Sequence, residues 1–240
     1  MVSGIVLALF EVVFIFLGGA VVRHSFENLK TMNIVTYYWL VLTIITGFLW
    51  ETSYVANYEL VGNYSGELIE KNENVWTNNY GLWNVLPNYF AVLFYSTYAA
   101  WADREYMSNS DDWSRVVESS HAIFCGLFSL LVVINYAKGN TKEFLITLGI
   151  SMGSQIMNSL LYMVEYFIQC KDPNNVNYNS ESFPMGIMLS KRAFMWVNIF
   201  WLLLPTYTLV YYLWVNRSDR RVLTPVSPYI LEKGELDKLN

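Results

Sequence analysis

Long stretches without charged residues constrain the fold of this 240-residue chain more than any other feature. No Asp, Glu, Lys or Arg occurs in residues 31–50, 74–102, 119–137, 144–164 and 193–216, and a further stretch, 12–22, follows Glu11. An apolar stretch of about 18 or more residues is long enough to cross a bilayer. Charged residues make up only 15% of the chain, against roughly 25% in a soluble domain. We therefore predict an all-α polytopic membrane protein and exclude a soluble enzyme, a secreted disulfide scaffold and a disordered linker.

Net charge and cysteine content exclude further classes. The net charge of −5 provides no basic surface for nucleic acid. Cys125 and Cys170 each lie in apolar sequence without a neighbouring cysteine, which argues against a disulfide framework or a metal knuckle. The chain begins apolar and lacks the basic region of a signal peptide, so we predict that its first helix is a retained membrane helix.

The uncharged stretches predict five membrane-spanning helices in a single domain, residues 1–215, followed by a polar tail, residues 216–240. The predicted helices cover Gly4–Val22, Ile34–Tyr54, Val116–Tyr136, Phe144–Ile168 and Lys191–Val215. With five spans the two termini lie on opposite sides of the membrane. The excess of Lys and Arg on the side of the C-terminus then places that terminus in the cytoplasm.

Residues 74–102 permit two interpretations. Their apolar part, Val85–Ala100, is rich in aromatic residues but is only about 16 residues long, which is short for a crossing and typical of an interfacial helix. We favour one interfacial aromatic helix within an extended loop, residues 57–115. The alternative is a sixth crossing, which would move Glu51 to the opposite side from the later polar groups.

Polar side chains inside apolar helices are costly and therefore mark candidate functional sites. The five-span topology places one set of them in the same half of the membrane: Glu51, Glu118, His121, Glu165, Asn198 and Trp201. Solvated or capping carboxylates near helix ends are the alternative for the glutamates. Glu118 and His121 have the Glu-x-x-His spacing of a carboxylate-bridged metal site, but such sites need this motif twice, so we predict no metal.

The same residues carry a resemblance to a known family. Val197-Asn198-Ile-Phe-Trp201-Leu-Leu-Leu-Pro205 is similar to the Asn-x-x-Trp-x-x-x-Pro signature in the last helix of the emopamil-binding protein family. Gln155–Tyr162, with Glu165 nearby, resembles its fourth helix, and Ala102–Tyr106 followed by Glu118 resembles the segment leading to its catalytic glutamate. Glu51 falls where the family has the glutamate of a His-x-x-x-Glu pair. The resemblance extends over about residues 34–215.

This resemblance implies the five-helix EXPERA fold around a pocket open to the bilayer. Members of the family are sterol Δ8–Δ7 isomerases, and relatives bind or process sterols and other lipids. It implies acid/base roles for Glu51 and Glu118, an orienting role for Asn198 and stabilisation of a cation by Trp201. The remaining candidate ligand-binding residues are Gln155, Asn158, Tyr162 and Glu165. No cofactor is needed, and the expected partner is a sterol or another lipid in the membrane, in the endoplasmic reticulum or alternatively the mitochondrial inner membrane.

One difference from the family's sequence pattern leaves two hypotheses about function open. The family histidine would fall at Gly47, which cannot transfer protons, and His121 is the candidate replacement. The chain is therefore either an active isomerase or a non-catalytic lipid-binding or structural protein, as a homodimer or within a larger membrane complex. A channel or proton-relay function is the weakest hypothesis, because no helix carries a repeated motif or a row of charges.

Overall fold

A computed structural model describes residues 1–105, 115–116, 119–180, 183, 192 and 196–218. In these residues, five helices are long and apolar enough to cross a membrane, namely Gly4–Ser25, Ile34–Ala56, Ser119–Ala137, Thr141–Gln169 and Asn198–Val215. The first four agree with the predicted spans to within three residues, and the fifth begins at Asn198, seven residues after the predicted start at Lys191. The predicted all-α polytopic membrane class is therefore confirmed.

We number the helices in chain order. They are α1 (Gly4–Ser25), α2 (Glu27–Thr31), α3 (Ile34–Ile45), α4 (Thr52–Ala56), α5 (Tyr58–Lys71), α6 (Pro87–Trp101), α7 (Ser119–Ala137), α8 (Thr141–Gln169) and α9 (Asn198–Ser218). A π-helical segment, Thr46–Glu51, joins α3 to α4, so the second span is one continuous but irregular helix. A short 3₁₀ turn, Leu82–Val85, precedes α6.

The core of the bundle is formed by α3, α7, α8 and α9. A tight turn containing Gly139, whose φ of 78° suits glycine, connects α7 to α8. Hydroxyl pairs link these helices: Ser129 Oγ lies 2.9 Å from Ser151 Oγ, and Thr36 Oγ1 lies 3.2 Å from Thr208 Oγ1. Small side chains and interhelical hydrogen bonds of this kind hold helices together where water cannot compete.

The segment predicted as an extended loop contains a further helix, α5. Its residues Val61, Ser65 and Leu68 are buried at helical spacing, and α5 packs against α6. Lys71 donates to Glu67 at 2.9 Å one turn earlier, and Asn72 ends the helix in the left-handed conformation with φ 51°. The two glycines and the polar residues within this stretch obscured the helical pattern in the sequence.

The predicted short aromatic helix is present as α6, which begins with Pro87 in its first turn. Its 15 residues are too few to cross a bilayer core of about 30 Å at 1.5 Å per residue. Ten of the 15 are buried, because α6 packs against α5, α4 and the π-helical segment. Its depth relative to the membrane stays a prediction.

The N-terminus is tied to the segment before α6. Residues Val2–Ser3 pair in an antiparallel register with Asn79–Tyr80 as a minimal two-stranded ladder, which the sequence did not predict. The backbone of Gly4 donates to Asn78 O at 3.0 Å, and a Cβ at Gly4 would lie only 2.1 Å from Val75 O. Glycine at position 4 is therefore what allows α1 to start against this segment.

Candidate functional site

The inner helices enclose a cavity of about 140 Å³. Among its lining residues are two of the predicted acid/base residues, Glu51 and His121, and the predicted pair Asn198 and Trp201. Three predicted ligand-binding residues also line it, namely Gln155, Asn158 and Tyr162. The structure thus brings residues from four different spans to one cavity.

The Glu51 carboxylate is 4% exposed and is hydrogen-bonded on both oxygens. The Tyr95 hydroxyl of α6 donates to Oε2, and the Ser119 hydroxyl at the start of α7 donates to Oε1 at 2.7 Å. Burial and the neighbouring Glu51 raise the pKa of Tyr95 well above its usual value, so Tyr95 stays a neutral donor. These contacts hold Glu51 in one position against the cavity.

Glycine at position 47 is explained by the close approach of two helices. A Cβ there would lie 2.6 Å from Ala122 O and 3.0 Å from the Gly126 Cα. The backbone of α7 therefore occupies the space that a larger side chain would need at position 47. The π-helical segment, a form that is frequent at functional sites, places Gly47 at this contact and Glu51 at the cavity.

His121 lies on α7 and is held by α8. Its Nε2 is 2.9 Å from Ser154 Oγ and 3.2 Å from Ser154 O. Cys125 Sγ, one turn along α7, is 3.4 Å from the same nitrogen. With the proton on Nε2 the ring donates to Ser154 and keeps Nδ1 as a base; with the proton on Nδ1, Nε2 accepts from the Ser154 hydroxyl instead.

Trp201 is positioned through a second tryptophan. The Trp39 ring meets it edge to face, with centroids 5.0 Å apart and planes at 76°. Trp39 Nε1 donates to Gln155 Oε1 at 3.0 Å, and the amide of Gln155 donates to Ser151 Oγ at 3.2 Å. Gln155 therefore orients Trp201 in addition to lining the cavity.

A chain of hydroxyl groups forms another side of the cavity. Asn198 Nδ2 donates to the Tyr98 hydroxyl at 2.8 Å, the Tyr98 and Tyr162 hydroxyls are hydrogen-bonded, and Tyr162 donates to Asp103 Oδ2 at 2.6 Å. Burial and then Asp103 raise the pKa of Tyr98 well above its usual value. Asn198 is thus fixed at one end of this chain.

The contribution of α6 to the cavity was not predicted from the sequence. Phe94, Tyr95 and Tyr98 all line the cavity. Their spacing of three and four residues on a helix was the available signal. The aromatic content of this stretch was instead interpreted as interfacial anchoring, which hid its function as a cavity wall. Trp50, next to Glu51 in the π-helical segment, was also missed.

One predicted residue, Glu165, does not line the cavity. Glu165 is exposed on the outside of α8, where it accepts a hydrogen bond from Gln169 Nε2 at 3.5 Å. Glu118 lies outside the described residues, as does Tyr106.

Fold and site together define a polytopic membrane protein with a carboxylate-bearing cavity inside its helix bundle. Comparisons with family models, curated proteins and solved structures find no match for this chain. The resemblance to the emopamil-binding protein family accordingly stays a prediction, and function is argued from the cavity itself.

Proposed function

We propose that this chain is an intramembrane isomerase of the sterol Δ8–Δ7 type, which moves a ring double bond of a lipid within the cavity. One observation carries the proposal: a buried, doubly hydrogen-bonded carboxylate, Glu51, shares a small cavity with an imidazole and the indole of Trp201. Proton transfer and stabilisation of a cation are the two requirements of such a reaction, and these residue types meet both.

The proposed reaction needs one proton donor and one proton acceptor. The donor adds a proton to one carbon of the double bond, which leaves a cation on the other carbon. The acceptor then removes a proton from the next carbon, and the electrons of that C–H bond form the shifted double bond. Substrate and product have the same composition, so no cofactor is consumed.

The roles follow from the contacts of each group. Tyr95 and Ser119 donate to Glu51 and favour its carboxylate form, which suits it to accept the proton. His121, in its protonated form, is the donor in this scheme; before the next turnover Glu51 releases the proton that it accepted and His121 takes one up. The Trp201 ring stabilises the cation, an interaction worth about 0.5–2 kcal/mol.

The cavity volume bears on how a lipid binds. A cavity of about 140 Å³ is close to the size that holds a benzene ring and smaller than the roughly 300 Å³ or more of a site for a larger ligand. We therefore expect only the reacting ring to occupy the space beside Glu51, with the remainder of the lipid outside it. The endoplasmic reticulum is the proposed location, because sterol isomerisation belongs there in the family that the sequence resembles.

Expression in a cell that lacks Δ8–Δ7 isomerase tests this function. The expected result is conversion of the accumulated Δ8 sterol to the Δ7 product, measured by gas chromatography of the extracted sterols. A Trp201→Leu variant should convert less, because the cation loses its aromatic neighbour. Absence of conversion by wild-type protein that is well expressed in the membrane would contradict the proposal.

A second candidate function is supported by the packing at Gly47. Because α7 fills the position of the family histidine, a non-catalytic lipid-binding or structural protein that retained the cavity is the alternative. It could act as a homodimer or within a larger complex, including one in the mitochondrial inner membrane. The mass of the gently solubilised particle distinguishes these cases, since a single 27.9 kDa chain or a dimer contradicts the larger complex.

A further inference from the structure

A second, larger cavity lies at the end of the bundle where the second span and α8 finish. Its volume is about 760 Å³, and ligand sites usually have roughly 300–1,000 Å³. Residues of α5, the end of α6 and the loop after α8 line this cavity, which we call the end cavity. Among the described residues it shares no lining residue with the cavity beside Glu51, so the two are separate.

Arg104 is the only positively charged residue in the described lining of the end cavity. Its side chain makes a single hydrogen bond in the described residues, from Nε to Ala100 O at 3.4 Å. Neither terminal nitrogen has a hydrogen-bond partner or a carboxylate at ion-pair distance there, and Nη2 is buried. A guanidinium has five N–H donors and stays charged in proteins. Arg104 therefore carries a charge and donors that the described part of its own chain leaves unused.

A second arginine adds to the positive charge beside Arg104. Arg192 is fully buried, and both guanidiniums lie over the ring of Phe183, with Cζ 3.5 Å from the centroid for Arg192 and 4.4 Å for Arg104. The ring attracts cations but contributes no anion. Burial, and then the charge of Arg192, lower the pKa of Arg104, although it remains protonated at neutral pH. Since a buried charge is costly without a counter-ion, this pair of arginines favours the binding of an anion.

The neighbouring carboxylates do not pair with Arg104. Asp103 and Glu105, on either side of it in the sequence, are hydrogen-bonded to other groups and form no ion pair with it. Glu59, the one acidic residue in the described lining, is exposed on α5, where water and salt screen its charge. The positive charge of Arg104 is therefore available at the end cavity.

The two arginines have different roles. Nη1 of Arg192 donates to the Tyr166 hydroxyl at 2.8 Å and to Asn177 O at 2.9 Å, and its Nη2 donates to Tyr178 O at 3.3 Å. Its terminal nitrogens therefore hold the loop after α8. Arg104 is held instead by its backbone, which donates to Asn177 Oδ1 at 2.7 Å. This contact fixes the start of the Arg104 side chain and leaves its terminal nitrogens for a ligand.

The position of the end cavity, beyond the ends of two spans, indicates which anion it meets. Membrane spans end at the level of the lipid headgroups, where phospholipids present phosphate groups, and the paired N–H donors of arginine match phosphate oxygens. We propose that the end cavity binds a phosphate group through Arg104, with the charge of Arg192 strengthening the attraction. A lipid headgroup and a free phosphate ion are the two sources of this chemistry. The inference goes beyond the isomerase function and is independent of it, because the proposed reacting groups line the other cavity.

The experiment compares three probes: dioctanoyl phosphatidic acid, dioctanoylglycerol, which is the same lipid without the phosphate, and inorganic phosphate. Titration calorimetry on the full chain in a non-ionic detergent, corrected with protein-free micelles, gives the dissociation constants. Phosphatidic acid that binds more tightly than inorganic phosphate identifies a lipid headgroup as the source, and the reverse order identifies the free ion. For the phosphate probe that wild type prefers, Arg104→Gln should weaken binding about tenfold to a hundredfold, the value of one hydrogen bond to a charged group. Arg104→Lys should weaken it less, because it keeps the charge but not the paired donors.

Lys171→Gln is the matched control, because it removes one positive charge from the same end of the bundle. Lys171 is exposed in the loop after α8 and does not line the end cavity, so its replacement should change the affinity by no more than about twofold. Gly66→Leu is a second variant that leaves Arg104 in place. Gly66 lines the end cavity, and among the described residues no atom outside its own stretch of helix is within 4 Å of its Cβ position. The larger side chain should therefore enter the cavity and weaken binding as well.

Three results would overturn the proposal. The first is no saturable binding of either phosphate probe to folded wild-type protein. The second is equal affinity for phosphatidic acid and dioctanoylglycerol without binding of inorganic phosphate, which would assign the binding to the acyl chains. The third is a folded Arg104→Gln variant that loses no more affinity than Lys171→Gln. If Arg104→Gln does not fold, unchanged binding by Gly66→Leu overturns the proposal instead, and weakened binding supports it.

Discussion

Replacement of Glu51 by Gln is expected to lower the rate of isomerisation about 10²–10⁴-fold, the usual contribution of a general acid or base. The amide keeps the size of the side chain and can still accept from Tyr95 or Ser119, so the helices should remain packed. It cannot accept a proton from a carbon atom at neutral pH. The initial rate of Δ8 to Δ7 conversion by purified protein measures the effect.

Glu165→Gln provides the control for this substitution. Glu165 belongs to α8 and is exposed on the outside of the bundle, so its replacement should leave the rate within about twofold of wild type, as expected for a side chain that touches no reacting group. If Glu51→Gln retained more than a tenth of the wild-type rate with normal folding, Glu51 would not be the proton acceptor.

Gly47→Ala should lower the free energy of unfolding by about 1–3 kcal/mol, the usual cost of overpacking. The reason is the distance of 2.6 Å between the new Cβ and Ala122 O, an atom of the α7 backbone that cannot move alone. Gly47→His should destabilise the bundle further and should not raise the isomerase rate. Thermal unfolding of the solubilised protein and the rate assay test both statements.

Gly153→Ala is the matched substitution for this comparison. Gly153 lies within α8, and among the described residues no atom outside its own stretch of helix is within 4 Å of its Cβ position. Alanine has the higher helix propensity, so we expect equal or slightly greater stability, by up to about 1 kcal/mol. Equal stability of Gly47→Ala and Gly153→Ala would contradict the close contact between the second span and α7.

The membrane spans and much of the cavity were predictable from the sequence because both follow from simple patterns. Uncharged stretches define the spans, and the alternating direction of successive spans brings Glu51, His121 and Asn198 to a similar depth. Seven of the predicted site residues accordingly line the cavity. Glu165 shows the limit of this approach, since depth alone does not determine which side of a helix faces the interior.

The remaining features depend on contacts that are distant in sequence. Gly47 is explained only once Ala122 and Gly126 are placed against it. The π-helical segment changes the rotation of Glu51 relative to α3, and no residue pattern identifies it. Similarly, Asp103 is hydrogen-bonded to Tyr162 and Asn177, which lie more than 50 residues away in the chain.

The most direct test of the account is isomerisation by purified wild-type protein in heavy water, with mass spectrometry of the product. Because the added proton comes from a group that exchanges with solvent, the account predicts a Δ7 product that carries one deuterium at the carbon that gained the proton. Glu51→Gln should give almost no labelled product in the same time. Folded wild-type protein that leaves the Δ8 sterol unchanged, or a product without deuterium, would contradict isomerisation by proton addition and removal in this cavity.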